Sequence, residues 1–248
     1  MSQVSKNYEF LCEIYDEIMD NGANYNSWFN LVAEICSEKN YGKSAKILEL
    51  GGGTGILGRK LKDYGFDYYG SDVSFEMAKA AKRKNLDFVC ADSQNIPFKY
   101  DFDLVIFLFD GINYIFELDG FTKTFQQVNS VLKPGGCFLF DITTETNSLT
   151  NFLNYREAFA GDNYAYIRES YYDAANREQH NDFDIFMEKK DGIYIRKTEK
   201  HCQKVHSVES VKNSIPKEIF EIEGIWGNFN REKCSKASKR VHFLLRKH

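Results

Sequence analysis

Along the first 145 residues, apolar positions alternate between helical spacing and short continuous runs, and the changes divide the chain into elements. Tyr8, Leu11, Tyr15 and Ile18 share one side of a helix predicted over 8–19. Trp28, Leu31, Val32 and Ile35 do the same for a helix over 25–37. Ile47, Leu48 and Leu50 form the short run expected of a buried parallel strand. Helical spacing returns in Leu57, Leu61 and Tyr64, followed by a strand over 67–70, a helix whose Phe75, Ala78 and Ala81 pack inward, and a strand over 86–91. Segment 102–109, FDLVIFLF, is apolar almost throughout, the mark of a central strand covered on both faces. Phe121, Phe125, Val128 and Leu132 predict a helix that Lys133-Pro134-Gly135-Gly136 stops, and 137–142 is a fifth strand.

Beyond residue 150 the pattern changes. Segments 164–172, 182–190 and 193–200 read as extended, and Asp191-Gly192 between the last two is a strong signal for a tight hairpin. An antiparallel insertion is therefore expected over roughly 160–206, before a short helix at 208–214 and two more main-sheet strands at 220–226 and 240–246, the last antiparallel. The predicted fold class is α/β: a seven-stranded, mostly parallel sheet with helices on both faces, plus an antiparallel β insertion between strands 5 and 6. In domain terms, 1–145 and 207–248 form one unit and 146–206 an inserted one.

The chemistry is concentrated after the first strand, in KILELGGGTG, residues 46–55. Glycine takes positive φ at no steric cost and lets a ligand approach the backbone, and the helix that follows presents its N-terminus to whatever is bound. Two registers are open. Gly53, Gly55 and Gly58 satisfy G-x-G-x-x-G, a pyrophosphate cradle that points to a nicotinamide oxidoreductase. In the other register Glu49 precedes Gly51, Gly53 and Gly55, and a carboxylate there suits a cationic ligand better than an anionic one. Asp72 ends the second strand 19 positions after Gly53, where it can accept hydrogen bonds from both hydroxyls of a ribose. Asp92-Ser93 ends the third, and Asp110 to Tyr114 borders the carboxyl end of the fourth, where ligands of open α/β sheets bind.

Composition narrows the class. A 248-residue chain with 43% hydrophobic and 27% charged residues and only three prolines is globular. No apolar run reaches the length of a membrane span and the start MSQVSKNYE lacks the apolar core of a signal peptide, so a cytoplasmic protein with no membrane partner is expected. The six cysteines form no C-x-x-C, so neither a zinc site nor a disulfide framework is indicated. Net charge is −4, with 14 Lys+Arg against 21 Asp+Glu over 1–145 and 18 against 15 over 146–248. That balance, with no basic stripe, weighs against nucleic acid as a partner. Oligomeric state has no signature here.

Taken in order, Glu49 with Gly51, Gly53 and Gly55, then Asp72, Asp92, the loop after Phe109 and Leu132 to Gly136 resemble the class I S-adenosylmethionine (SAM) methyltransferases over about residues 8–145. Closer still, the chain is similar to the small-molecule branch that includes sugar-amine N-methyltransferases, which carry a strand-rich insertion over the active site. The resemblance implies a Rossmann-like sheet, SAM as cofactor, Asp72 on the ribose, Asp92 on the adenine amino group, and Val73, Ser93 and Phe109 beside the cofactor. Tyr15-Asp16-Glu17-Ile18-Met19 matches an amino-terminal motif of such enzymes, in which the tyrosine lies over the cofactor; core packing is the other reading of Tyr15. No catalytic residue is assigned. Asp110, Tyr114, Tyr164 and Tyr166 are candidates by position only, and Tyr114 stands where the sugar N-methyltransferases have a histidine. A protein that binds SAM without turnover is the alternative of another class.

Overall fold

Strands that are apolar on both faces need a helical layer on each side, and the chain supplies both. The structure, a computed structural model, describes residues 8–20, 24–99 and 101–248. The polar start up to residue 7 lies outside the described residues. Five parallel strands, β1 (Lys46–Leu50), β2 (Asp67–Asp72), β3 (Asp87–Cys90), β4 (Phe102–Phe107) and β5 (Leu132–Thr143), form most of the main sheet. β12 (Arg240–Lys247) runs antiparallel to β5, and β10 (Phe220–Gly227) antiparallel to β12. With the two-residue edge strand β11 (Glu232–Lys233) the order is β11-β10-β12-β5-β4-β1-β2-β3, eight strands rather than seven.

The side-chain alternation of the strands sorts the core into two layers. Ile47, Leu104, Ile106 and Leu139 face α2 (Tyr25–Glu38), α3 (Ile56–Tyr64) and α4 (Phe75–Arg83), meeting Trp28, Leu31, Leu61 and Ala81. Leu48, Val105, Phe107, Phe138 and Phe140 face the other way, onto α5 (Leu118–Val131) and α7 (Val208–Ser214). Phe140 stacks on Phe243 of the neighbouring strand at 4.8 Å between ring centroids.

Between β5 and α7 the chain builds α6 (Glu145–Asn151) and a separate four-stranded antiparallel sheet of β6 (Asn154–Ala160), β7 (Tyr164–Asp173), β8 (Glu178–Lys190) and β9 (Ile193–Lys204). Asp191 and Gly192 both take positive φ at the β8–β9 turn, 51° and 76°, as a tight primed hairpin requires. One face of this sheet presents Tyr166, Phe183 and Ile185 to Leu11, Ile14, Tyr15 and Met77, a third core that joins the insertion to the amino-terminal segment.

Several local expectations are corrected. The helix expected over 8–19 is a turn, a 3-10 turn at Leu11–Glu13 and then α1 (Tyr15–Asp20). Phe75 is 63% exposed, because α4 turns Met77, Ala78 and Ala81 inward instead. Ser74 stands at the N-cap of α4 without a side-chain capping bond. α5 ends one residue before Leu132, which already pairs with Phe102, so the Lys-Pro-Gly-Gly segment lies within an irregular start of β5. β6 and α6 were not anticipated: β6 is exposed at nearly every position and shows no alternation, and α6 is mostly polar.

Asn113, fully buried in the 3-10 turn Gly111–Tyr114, ties the two sheets together. Its Nδ2 donates to the Lys204 carbonyl at 2.8 Å and its Oδ1 accepts from the Thr143 N–H at 3.0 Å. Asn113→Ala leaves both backbone groups without a partner, at about 1–3 kcal/mol each. Urea unfolding of the variant is expected to show a loss of about 2–4 kcal/mol; a loss under 0.5 kcal/mol would contradict this role.

Candidate active site

The turn after β1 is shaped by three glycines in the left-handed region, Gly51, Gly53 and Gly55, at φ 61°, 57° and 79°. At Gly53 a Cβ would meet only the Tyr15 ring, 4.0 Å away, so the backbone faces open space. Gly58, the last glycine of the dinucleotide register, has a packing reason instead: a Cβ there would lie 2.3 Å from the Tyr68 ring.

Asp72 joins this turn to the start of α4. Its Oδ2 accepts from the Gly53 N–H at 2.9 Å and its Oδ1 from the Ser74 N–H at 2.8 Å. Burial pushes its carboxyl up to about 6 against the pull of those two N–H groups. Glu49, 5% exposed, accepts from the Tyr68 hydroxyl at 2.5 Å. Burial raises it to about 8, with Tyr68 opposing the shift and Asp72 adding to it.

Tyr15, Gly51, Gly53, Asp72, Val73, Asp92, Ser93 and Phe109 all line one cavity of about 180 Å³. Glu49 does not. It lines a smaller adjoining pocket that shares Tyr15, Gly51, Gly53 and Phe109 with the first. Tyr15 is held there by its neighbour Asp16, which accepts from the Thr54 hydroxyl and pairs with Lys84. That clamp accounts for the aspartate of the Tyr-Asp motif. Asp92 Oδ1 accepts from the Gln94 N–H at 2.9 Å, bracing the loop after β3.

A second cavity, about 350 Å³, lies between the main sheet and the inserted one. Tyr8, Tyr15, Phe109 and Tyr114 line both cavities. Aromatic groups (Phe152, Tyr155, Phe183) and polar ones (Asn147, Arg168, Asn181, Gln203) line the rest. Asp110 also lines this cavity, paired there with Arg240 at 2.6 Å and accepting from Gln203 Nε2 at 2.8 Å, while Arg240 also pairs with the fully buried Asp141. Burial still lifts the Asp110 carboxyl above its ordinary value, against Arg240. Tyr164 and Tyr166 line neither cavity, and the Tyr166 hydroxyl donates to Glu157 at 3.0 Å.

Tyr114 is different. Its hydroxyl shares hydrogen bonds with the Tyr8 hydroxyl at 2.7 Å and with His201 Nδ1 at 3.2 Å. His201 Nε2 lies 2.9 Å from Glu199 Oε1, a charge contact with the N–H not aimed along a hydrogen-bond axis. Glu199 also accepts from the backbone N–H groups of Phe10 at 2.9 Å and Leu11 at 3.0 Å, and from that of Tyr8. Burial pushes its carboxyl up, but His201 and these N–H groups outweigh burial and hold it below the usual value. Sequence reading missed Glu199, His201 and Gln203. The available signal was their alternation in β9, three polar side chains at every second position, which reads equally well as a solvated face.

Residues 47–136 match the family of methyltransferase domains. A putative methyltransferase of Bacillus subtilis, YqeM, is 28% identical over 246 residues, covering 97% of each chain. A SAM-dependent methyltransferase from Clostridium acetobutylicum superposes with a TM-score of 0.81 at 25% identity over 97% of this chain and 98% of the other. The sugar N-methyltransferase KedS8 of Streptoalloteichus shares the fold, at TM-score 0.77 and 18% identity over 94% and 92%. The chain therefore carries a methyltransferase domain over residues 47–136 and is similar along its length to SAM-dependent methyltransferases.

The raised Glu49 carboxyl has a measurable consequence. Above the ordinary carboxylate range the unfolded chain has lost a proton that folded Glu49 keeps up to about pH 8, so stability falls as pH rises through that window. Asp72 adds a loss of the same sign below about pH 6. Between pH 6 and 8, denaturant unfolding of the ligand-free protein is expected to lose up to about 1.4 kcal/mol per pH unit. Glu49→Gln should flatten that slope, and equal slopes in the two proteins would remove Glu49 as its source.

Proposed function

We propose that the protein moves the methyl group of SAM to a small polar molecule carrying an N–H or O–H, with the donor over the glycine turn and the acceptor between the two sheets. The observation that carries this reading is the meeting of the two cavities at Tyr8, Tyr15, Phe109 and Tyr114, which gives donor and acceptor separate chambers with a common wall. The residues present suit the donor. The backbone is open over Gly53, and Asp72 and Glu49 are buried carboxylates with no cationic partner among the described residues.

In this reading Gly51 and Gly53 admit the methionine part, Glu49 supplies negative potential for its ammonium, and Asp72 accepts from the ribose hydroxyls. Asp92 and Ser93 meet the adenine edge, Val73 and Phe109 border the cofactor, and Tyr15 covers it. When bound, SAM supplies a methyl group on a sulfonium, a leaving group good enough that orientation and exclusion of water carry much of the catalysis. Residues 1–145 and 207–248 serve as the cofactor-binding domain and 146–206 as the cover over the acceptor. The six unpaired cysteines suit a reducing, cytoplasmic setting.

The Tyr114–His201–Glu199 arrangement gives the acceptor proton a route. Burial pushes the Tyr114 hydroxyl well above its ordinary value, so a free phenolate is not the base. Instead, Tyr114 hands its proton to His201 Nδ1 as it takes one from the acceptor, and Glu199 stabilises the resulting imidazolium. General acid–base groups of this kind contribute roughly 10²–10⁴ in rate.

Two variants test these assignments. Asp72→Ala is expected to weaken SAM by about 1.5–3 kcal/mol, or roughly 10- to 150-fold, by calorimetry; unchanged affinity in a folded variant would remove Asp72 from the site. For the acceptor, small-molecule fractions are incubated with methyl-labelled SAM and labelled product is isolated. With that acceptor His201→Ala should lose about 10²-fold or more in kcat and leave SAM affinity unchanged. Full turnover in the variant would rule out the relay.

A further inference from the structure

The inserted sheet has a second face, turned away from the acceptor cavity. On β8 and β9 the alternation directs Gln179, Asn181, His201 and Gln203 into the cavity and therefore Glu178, His180 and Cys202 to the opposite side. His180 and Cys202 are direct cross-strand partners, and Glu178 lies two residues before His180 on the same face. All three side chains are half-buried.

Their donor atoms converge. Cys202 Sγ lies 3.7 Å from His180 Nε2 and 3.7 Å from Glu178 Oε2, and those two atoms are 3.5 Å apart. Tetrahedral zinc bond lengths place such S–N, S–O and N–O pairs at about 3.6, 3.6 and 3.4 Å. The three separations match within about 0.1 Å, whereas the N–O separation is long for a direct hydrogen bond. The His180 ring is fixed by Tyr171 from β7, stacked at 4.5 Å and 6°. The other oxygen of Glu178 is 3.6 Å from Lys204, which leaves Oε2 turned toward the cluster.

We propose that Glu178, His180 and Cys202 form a transition-metal site for zinc or a metal of similar preference, with the fourth position taken by water. Thiolate, imidazole and carboxylate together select zinc or cobalt over magnesium and calcium, which take oxygen donors. Binding breaks the Cys202 S–H bond, forms a sulfur–metal bond and releases the proton to the buffer. Because loading releases that proton, binding strengthens as pH rises. The metal links β8 to β9 directly behind Gln179 and His201, and stiffens the inserted sheet. Sequence spacing argued against any zinc site, because the ligands come from two strands and form no Cys-x-x-Cys. This inference does not depend on the methyl-transfer reading.

The test is cobalt titration of the metal-free full chain, followed by absorbance. One Co²⁺ per chain is expected, with thiolate-to-cobalt charge-transfer absorption in the near ultraviolet, tetrahedral d–d bands, and displacement of both by Zn²⁺. Cys202→Ser should lose the charge-transfer band, His180→Ala should weaken binding at least tenfold, and Cys90→Ser, which alters an exposed cysteine outside the cluster, should change neither. SAM calorimetry on each variant reports whether the cofactor domain is intact, and His180→Ala decides the matter if Cys202→Ser does not fold. Absence of the band in the parent protein, its persistence in Cys202→Ser, or its loss in Cys90→Ser would overturn the proposal.

Discussion

Two buried carboxylates with no cationic partner among the described residues set the character of this protein. Glu49 lies next to the end of β1 and Asp72 ends the neighbouring parallel strand β2, two positions beyond the partner of Glu49, and both side chains are buried. Among the described residues Glu49 has the Tyr68 hydroxyl and Asp72 two backbone N–H groups to offset desolvation, and burial outweighs them, so both carboxyls rise above their ordinary range. A fold that selected for stability alone would place apolar residues there. The pair is electrostatically incomplete, and in the proposed reading a ligand carrying an ammonium and a sulfonium completes it.

Other parts of the molecule arrange access to that point. Asp16 clamps Tyr15 over Gly53, and Asn113 fixes the main sheet to the inserted one. Glu199, on the far strand of the insertion, gathers the N–H groups of residues 8, 10 and 11 and so holds Tyr8 against Tyr114. The common wall of the two cavities is thus assembled from segments up to 191 residues apart in sequence. Arg240, which lines the second cavity with Asp110, braces that side by pairing with both Asp110 and Asp141.

The residues proposed to hold the cofactor were legible in the sequence because their placement follows from local signals. A glycine turn follows a strand immediately, and each acidic residue stands at or beside the carboxyl end of its own strand, so position along the chain already states position in the sheet. The acceptor side was not. Which face of β9 points inward depends on its register with β8 and on what covers it, and one residue of slip exchanges His201 for Cys202. The helical periodicity of residues 8–18 was real, yet contacts to Glu199 break the segment at the point where a helix would continue. Phe75 shows the same limit: spacing of three placed it with Ala78 and Ala81, but the face that packs runs through Met77.

The central claim, that a cation completes the Glu49 and Asp72 site, is tested most directly by counting protons when SAM binds at pH 7. Calorimetry in buffers of different ionisation enthalpy gives that number. A carboxyl near 8 is mostly protonated at pH 7 and loses its proton when a positive charge arrives, so a release approaching one proton per SAM is expected, and about none in Glu49→Gln. Proton uptake, or the same release in the Glu49 variant, would contradict the account.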